Sequence, residues 1–337
     1  MMGNIEKNHI NVGVVGLGLM GTSFIVTLLL SGHKVIAIAP QPQDMDYAPE
    51  RIKSHLLLCA KAGLLNKPVE NYLSDLVISE DYELLHSAHL VLECVIESLE
   101  IKKLIYKKVE SIVSNHTVIA SNTSAIPISV LQKYLLIPGR FLGIHWAEPS
   151  YFTRFMEITC GKNTDFKYAE WVYEIAHSWG KEPTLLRKDL RGFVTNRLMY
   201  AVYREGLNIV SNGEASLTDV DKAFRYDAGS WMTLMGIFQR MDYTGLKDYA
   251  EIFRALFPKL CNDDNVPLLM QQMVDKNAKG IQNLSGLYRY TEEEAQKWQE
   301  AFAVFNLEIY QLATKYSFKR EKVKTAARKA PITEDDF

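Results

Sequence analysis

Gly16-Leu-Gly18-Leu-Met-Gly21 follows a short apolar run, Ile10 to Val15, and leads straight into a second apolar stretch, Met20 to Ser31. Three glycines so spaced at a strand-to-helix corner restrict the backbone more than any other feature of the chain. The first permits a tight turn. The second lets the backbone approach a pyrophosphate, and the third lets the helix pack on the strand. The helix N-terminus beyond, at Leu19 and Met20, offers free N–H groups and a partial positive charge to an anion. Three glycines in a buried corner also suit packing alone; the strand before them and the helix after them favour a dinucleotide.

The same region, Val12 to Leu30, is apolar enough to suggest a membrane span or a leader peptide. Glycines interrupt it, and neither a basic flank nor a small-residue cleavage site frames it, so no membrane partner is expected. With 38 Lys and Arg against 40 Asp and Glu, the net charge of −2 argues against nucleic acid, which would draw a basic stripe. Cys59, Cys94, Cys160 and Cys261 are scattered without a C-x-x-C pair. No metal site or disulfide framework is expected, and a cytoplasmic location fits.

A chain of 337 residues suggests two domains. The first half alternates β and α patterns. Lys34–Ala39 reads as the second strand and residues 47–75 as two helices broken at Gly63. His89–Cys94 is strand-like, Glu100–Ser114 an amphipathic helix, and Thr117–Ser121 a strand. Arg140–His145 and Phe155–Cys160 follow as strands, then a helix around Tyr168–Trp179 and a strand near Pro183–Arg187. Such alternation predicts a parallel, doubly wound sheet with right-handed crossovers, an α/β Rossmann-type domain over residues 1–188. From 189 to 337 the β signal disappears and an all-α domain is expected. Its first helix spans Gly192–Asn212, a second starts at Thr218, and the last, Thr291–Thr314, opens on the capping box Thr291-Glu-Glu-Glu294. Lys319–Phe337 is charged and reads as a surface or frayed end.

A fold of this kind that prefers NAD usually places an acid at the end of the second strand to bond the ribose hydroxyls. That place falls on Ala39, with Asp44 and Asp46 in the following loop, and no Arg occupies the turn to receive a 2′-phosphate. NAD is the expected cofactor and NADP is not excluded.

Further stretches fall in order along nearly the whole chain: Glu97-Ser-Leu-Glu-Ile-Lys102, Ala120-Ser-Asn122-Thr-Ser124, Gly143-Ile-His145-Trp-Ala-Glu148-Pro149, Phe155-Met-Glu157-Ile and Gly192-Phe-Val-Thr-Asn196-Arg197. Later come Ala228-Gly229, Met235-Gly236-Ile-Phe238, Asp242-Tyr-Thr-Gly245 and Gly286-Leu-Tyr288-Arg-Tyr290. Together with the glycine corner they resemble the 3-hydroxyacyl-CoA dehydrogenases. Each piece alone is modest; their ordered combination carries the likeness.

The resemblance implies hydride exchange between NAD and a 3-hydroxyacyl-CoA or 3-oxoacyl-CoA, in fatty acid metabolism, by a homodimer joined through the helical domains. It assigns His145 as acid/base and Glu157, twelve residues on, as its orienting carboxylate. A neutral imidazole suits removal of a hydroxyl proton, and a carboxylate on its other nitrogen fixes the tautomer. By resemblance Ser124 bonds the reacting oxygen, Asn196 holds the substrate carbonyl side, Glu97 and Lys102 lie near the nicotinamide ribose, and Asn122 belongs to the turn beside the nicotinamide amide. Without that likeness a structural His145 is the favoured reading, and the alternatives stay open of a strand carboxylate at Glu157, turn residues at Asn122 and Ser124, a helix-end Asn196, and a surface pair Glu97–Lys102.

Two departures stand out. Where the family has Asn three residues after the base, this chain has Glu148, which when ionised only accepts hydrogen bonds. Against a thioester carbonyl gathering negative charge such a group is unfavourable; a polyhydroxy or cationic substrate suits it better. The helical stretch Arg51 to Lys61, where family members hold CoA, is also less basic than a phosphate clamp would be. The alternatives are therefore a free 3-hydroxy acid as substrate, as in the gulonate dehydrogenase or lambda-crystallin branch, and a non-catalytic dinucleotide-binding relative.

Overall fold

A computed structural model describes residues 9–316. Eight strands form one sheet among the described residues: β1 Asn11–Val15, β2 Lys34–Ile38, β3 Leu76–Ser79, β4 Leu90–Glu93, β5 Val118–Ser121, β6 Phe141–Trp146, β7 Phe155–Cys160 and β8 Glu182–Leu186. Their order is β3-β2-β1-β4-β5-β6-β7-β8. The first six pair in parallel. This is a Rossmann-type order, and it opens a crevice beyond the C-terminal ends of β1 and β4, where the winding reverses.

The expectation of a parallel sheet fails at β7, which pairs antiparallel with β6 and directly opposes His145 to Glu157. The stretch from Ala147 to Arg154 is too short for a parallel crossover, which needs a dozen residues or more, so the chain turns back as a hairpin. β8 then lies parallel to β7. β3, a four-residue run, Leu-Val-Ile-Ser, lies on the outer edge of the sheet and is too short to show a strand period in the sequence.

Helices α1 Leu19–Leu30, α2 Asp44–Lys61, α3 Val69–Leu73, α4 Leu99–Glu110, α5 Ile128–Leu131 and α6 Phe166–Ala176 accompany the sheet. α1 is buried on almost every side, from Gly21 to Leu29, which explains its lack of a polar face. Its small hydroxyls do local work. Ser23 Oγ donates to Ser150 Oγ at 3.0 Å, Ser150 N donates to Ser23 Oγ at 2.8 Å, and Thr27 Oγ1 lies 2.6 Å from Ser150 Oγ. The buried ammonium of Lys181 donates to the carbonyls of Ser150 and Thr153, and burial, with the nearby charge of Arg154, pulls its pKa down to about 7. These contacts anchor the connection from β6 to β7, and with it Glu148.

Helix α7, Phe193–Ser211, opens the helical part of the chain; α8 Leu217–Tyr226, α9 Ala228–Met232, α10 Ile237–Thr244, α11 Leu246–Leu256, α12 Leu268–Asp275 and α13 Glu292–Lys315 follow. Among the described residues, 9–208 with Asp263–Pro267 make one compact unit, and 209–262 with 268–316 make another. α8 begins earlier than its Thr218 expectation: Ser216 is the cap, its hydroxyl accepting from Asp219 N at 3.1 Å. Ser216 and Thr218 both suit a cap, and only the chain path chooses between them. Thr291 and Glu294 form the capping box as expected. Lys319–Phe337 lies outside the described residues, and no described helix is long and apolar enough to cross a membrane.

His33, fully buried, accepts a hydrogen bond from Trp179 Nε1 at 2.6 Å. Burial, aided by His9, lowers its pKa from 6.5 to about 4. The unfolded chain therefore binds this proton between those pH values while the folded one does not. Stability should fall by on the order of 3 kcal/mol as pH drops from 6.5 to about 4. Urea titrations of wild type and His33→Gln across that range check this; equal slopes would contradict it.

Candidate active site

The glycine corner behaves as a cradle. Gly16 has φ +100°, and a Cβ there would stand 2.8 Å from the Cys94 backbone. At Gly21 a Cβ would come 1.9 Å from the Gly16 carbonyl oxygen, so α1 packs too close on β1 for any side chain. At Gly18 nothing lies within 4 Å: this is the open side. α1 has no side-chain cap and no acid in its first turn. The amides at Leu19, Met20 and Gly21 are thus left for an anion, as the N-terminal groups of a helix always need partners. Val15, Glu93 and Ser121 are register partners across β1, β4 and β5, which brings the glycine corner level with the residues that follow the other two strands.

Beside it a polar network fills the ends of β4 and β5. Glu93, 1% exposed, accepts from Lys102 Nζ at 2.7 Å, Tyr106 Oη at 2.7 Å, Ser121 Oγ at 2.7 Å and Val95 N at 2.9 Å. Lys102 also lies 3.3 Å from Glu97 Oε2. Lys102 is thus fully buried rather than half of a surface pair. Glu97 in turn accepts from Thr123 Oγ1, and from Ala125 N at 3.3 Å and Ile126 N at 3.4 Å. Burial raises the Glu97 pKa, but Thr123 and Lys102 outweigh it and the net shift is downward. Sequence reasoning missed Glu93, Tyr106, Ser121 and Thr123. An acid closing the apolar run Leu90-Val-Leu-Glu93 was the available signal.

The Asn122–Ser124 turn hangs from this network. Asn122 N donates to Glu93 O at 2.9 Å, while its side-chain Oδ1 is buried without a partner. An orphan acceptor at the sheet edge fits a ligand N–H such as that of a nicotinamide amide. Ser124 is exposed on the same turn.

His145 and Glu157 meet as register partners. His145 Nδ1 lies 3.1 Å from Glu157 Oε2, the imidazole 15% and the carboxylate 1% exposed. The other oxygen, Oε1, receives Val194 N and Thr195 N at 3.0 Å each and Thr195 Oγ1 at 3.4 Å. Glu157 thus sits at the N-terminus of α7, where the helix dipole favours an anion. Burial alone would raise its pKa; the bonds from His145, Thr195 and Val194 lower it below 4.5 overall. The carboxylate is ionised at neutral pH, and the stability it brings is present above 4.5 and lost as pH falls through its lowered pKa. An ionised carboxylate only accepts, so Nδ1 carries the imidazole proton and Nε2 is left basic.

Two consecutive left-handed residues aim the α7 amides: Gly192 at φ +79° and Phe193 at φ +51°. The latter is uncommon for a bulky residue and marks a site the surroundings hold in place. Phe193 stacks on His145 at 5.4 Å, and Phe155 meets the ring edge-on at 5.7 Å. No sequence pattern singled out Phe193. Asn196 lies half-buried in the first turn of α7, and Glu148 is exposed in the loop after β6.

The strand order, the glycine cradle and the orphan amide define a dinucleotide-dependent dehydrogenase. Residues 11–190 match the family model described as 3-hydroxyacyl-CoA dehydrogenase, NAD binding domain, and residues 192–290 the C-terminal domain of the same family. The chain belongs to the 3-hydroxyacyl-CoA dehydrogenase family: it is an NAD-dependent oxidoreductase acting on CH–OH. Among its relatives is the human mitochondrial hydroxyacyl-coenzyme A dehydrogenase, 30% identical, covering 83% of this chain and 91% of that one. Another is the 5-formyl-3-hydroxy-2-methylpyridine 4-carboxylate 5-dehydrogenase of Mesorhizobium japonicum, 27% identical, covering 86% and 93%. A crystal structure of an NAD+-dependent dismutase of that substrate superposes with a TM-score of 0.84 at 26% identity, covering 91% and 99%.

The residues present fit NAD, and the glycines separate two roles. Gly18→Ala should fold normally and bind NAD at least about tenfold more weakly, a change of about 1.4 kcal/mol. Gly21→Ala should lower Tm instead. Calorimetry of both variants checks this, and equal behaviour of the two would contradict it.

Proposed function

We propose that the protein oxidises the secondary alcohol of a free hydroxy acid, not of a CoA thioester, with His145 as acid/base and Glu157 as its orienting carboxylate. The observation that carries the acid/base assignment is the divided use of Glu157: one oxygen on His145 Nδ1, the other on the α7 amides. In oxidation His145 Nε2 takes the hydroxyl proton, and in reduction the imidazolium returns it. Glu157 stabilises that imidazolium and holds the ring still, while Phe193 and Phe155 fix its plane. Ser124 donates to the reacting oxygen and Asn196 holds the neighbouring carbonyl side. Bound NAD supplies the hydride acceptor, and the free amides of α1, Asn122 and the Glu97 turn hold it.

The substrate class rests on Glu148. Ionised, it offers acceptors only, which suits a substrate bearing hydroxyls, a protonated nitrogen or another cation and disfavours a thioester carbonyl that gathers negative charge. The relative that acts on a pyridine carboxylate is consistent with this class. The second reading, a 3-hydroxyacyl-CoA, keeps its support from the family's name and from the exposed Lys53 and Lys61 on α2.

A second copy of this chain completes the protein. None of α8 to α12 carries a buried residue. Phe238, Tyr243, Leu246 and Leu268 are 60–77% exposed. Exposed apolar surface on that scale marks an interface, and we infer a homodimer. Light scattering should give about twice 38.4 kDa, and a monomer stable at micromolar concentration would contradict it.

For catalysis, His145→Ala should lower kcat/KM by about 10²–10⁴-fold, and Glu157→Gln should lower kcat with KM little changed. Turnover by the wild type is followed at the reduced-nicotinamide absorbance with acetoacetyl-CoA and with a panel of free hydroxy acids. Activity on free acids alone is expected, and Glu148→Asn should weaken it. Efficient reduction of the thioester by the wild type would overturn the substrate assignment, and a fully active His145→Ala would overturn the mechanism.

A further inference from the structure

Glu93 is buried, and its carboxylate, the buried ammonium of Lys102 and the exposed carboxylate of Glu97 form one chain of charges. Burial of such a group is costly unless every lone pair is used, and Glu93 uses both oxygens on four donors from three elements. Tyr106 and Lys102 lie one turn apart on α4, so both reach the same carboxylate from one helix face. Lys102, held at 2.7 Å on Glu93, presents its remaining side to Glu97 at 3.3 Å. Glu97 then gathers Thr123, Ala125 and Ile126, while Glu93 itself takes Ser121 at the other end of the turn. The segment bearing Asn122 and Ser124 is therefore clamped at both ends by carboxylates that share one ammonium.

We propose that Glu93 is a positioning residue for the reaction: through Lys102 and Glu97 it sets the place of the Asn122–Ser124 turn. This rests on the reading above that this turn faces the nicotinamide and the reacting oxygen. The adenosine diphosphate part of the cofactor is held elsewhere, by the α1 amides. Loss of the clamp should thus separate the two halves of cofactor binding, which a general loss of stability would not do. A misplacement of about 1 Å in such a turn is enough to cost about a hundredfold in rate.

The test compares wild type with Glu93→Gln, which keeps the size of the side chain but removes its charge and turns one acceptor into a donor. Titrations with ADP, which carries both phosphates and neither the nicotinamide nor its ribose, are set beside titrations with NAD and a kcat and KM determination. Glu93→Gln should bind ADP as the wild type does, bind NAD about tenfold more weakly, and turn over about a hundredfold more slowly at similar KM. Equal affinity losses for both ligands would mean that Glu93 only supports the fold and would overturn the proposal, as would wild-type kcat and NAD affinity. Should Glu93→Gln not fold, Tyr106→Phe removes a single bond to Glu93 and must show the same split at about threefold size; an unchanged split overturns the proposal. The ligand split does not involve His145, so it stands or falls separately from the acid/base assignment.

Discussion

The contact on which the candidate site depends is the double use of Glu157. Its two oxygens join the antiparallel end of the sheet to the first turn of α7, with His145 on one side and two helix amides on the other. A carboxylate this deeply buried would ordinarily take up a proton. The charge-assisted bonds and the helix dipole keep it ionised, and an ionised Glu157 in turn decides which nitrogen of His145 carries the proton. Sheet topology, helix placement and imidazole chemistry are thus coupled through one side chain.

That coupling accounts for features which look like local oddities. β7 reverses direction, and only an antiparallel neighbour with this register opposes Glu157 to His145. Gly192 and Phe193 adopt left-handed backbone, which turns the chain so that the Val194 and Thr195 amides face the carboxylate. Phe193 then lies over the imidazole. The same economy recurs at Glu93, where a second buried carboxylate ties α4 and the ends of β4 and β5 together. The two anions stand on β4 and β7, with β5 and β6 between them, one held by the ammonium of Lys102 and the other by His145 and the first turn of α7.

Much of this was legible in the sequence, and unevenly. The glycine corner announced itself because its constraint is local: three positions where a Cβ has no room or must not intrude. The pairing of His145 with Glu157 came from the ordered likeness to a family, since twelve residues of separation alone say nothing of contact. The reversal of β7 could have been read from the short link between two strands, but alternation of patterns masked it. β3 escaped because four residues on a sheet edge carry little periodicity. The Glu93 network escaped for a different reason. Its side-chain donors come from residues 9, 13 and 28 positions away, and only the folded chain brings them together. The left-handed Phe193 defies local preference altogether, since tertiary contacts hold it there.

Glu157 makes Nε2 of His145 the basic nitrogen, and everything proposed for the site follows from that. Nitrogen-15 NMR of the imidazole in the folded protein at neutral pH reads the tautomer directly. The expected result is a proton on Nδ1, hydrogen-bonded to Glu157, with Nε2 unprotonated, and loss of that preference in Glu157→Gln. A proton on Nε2 in the wild type, or the same tautomer with and without the carboxylate, would contradict it.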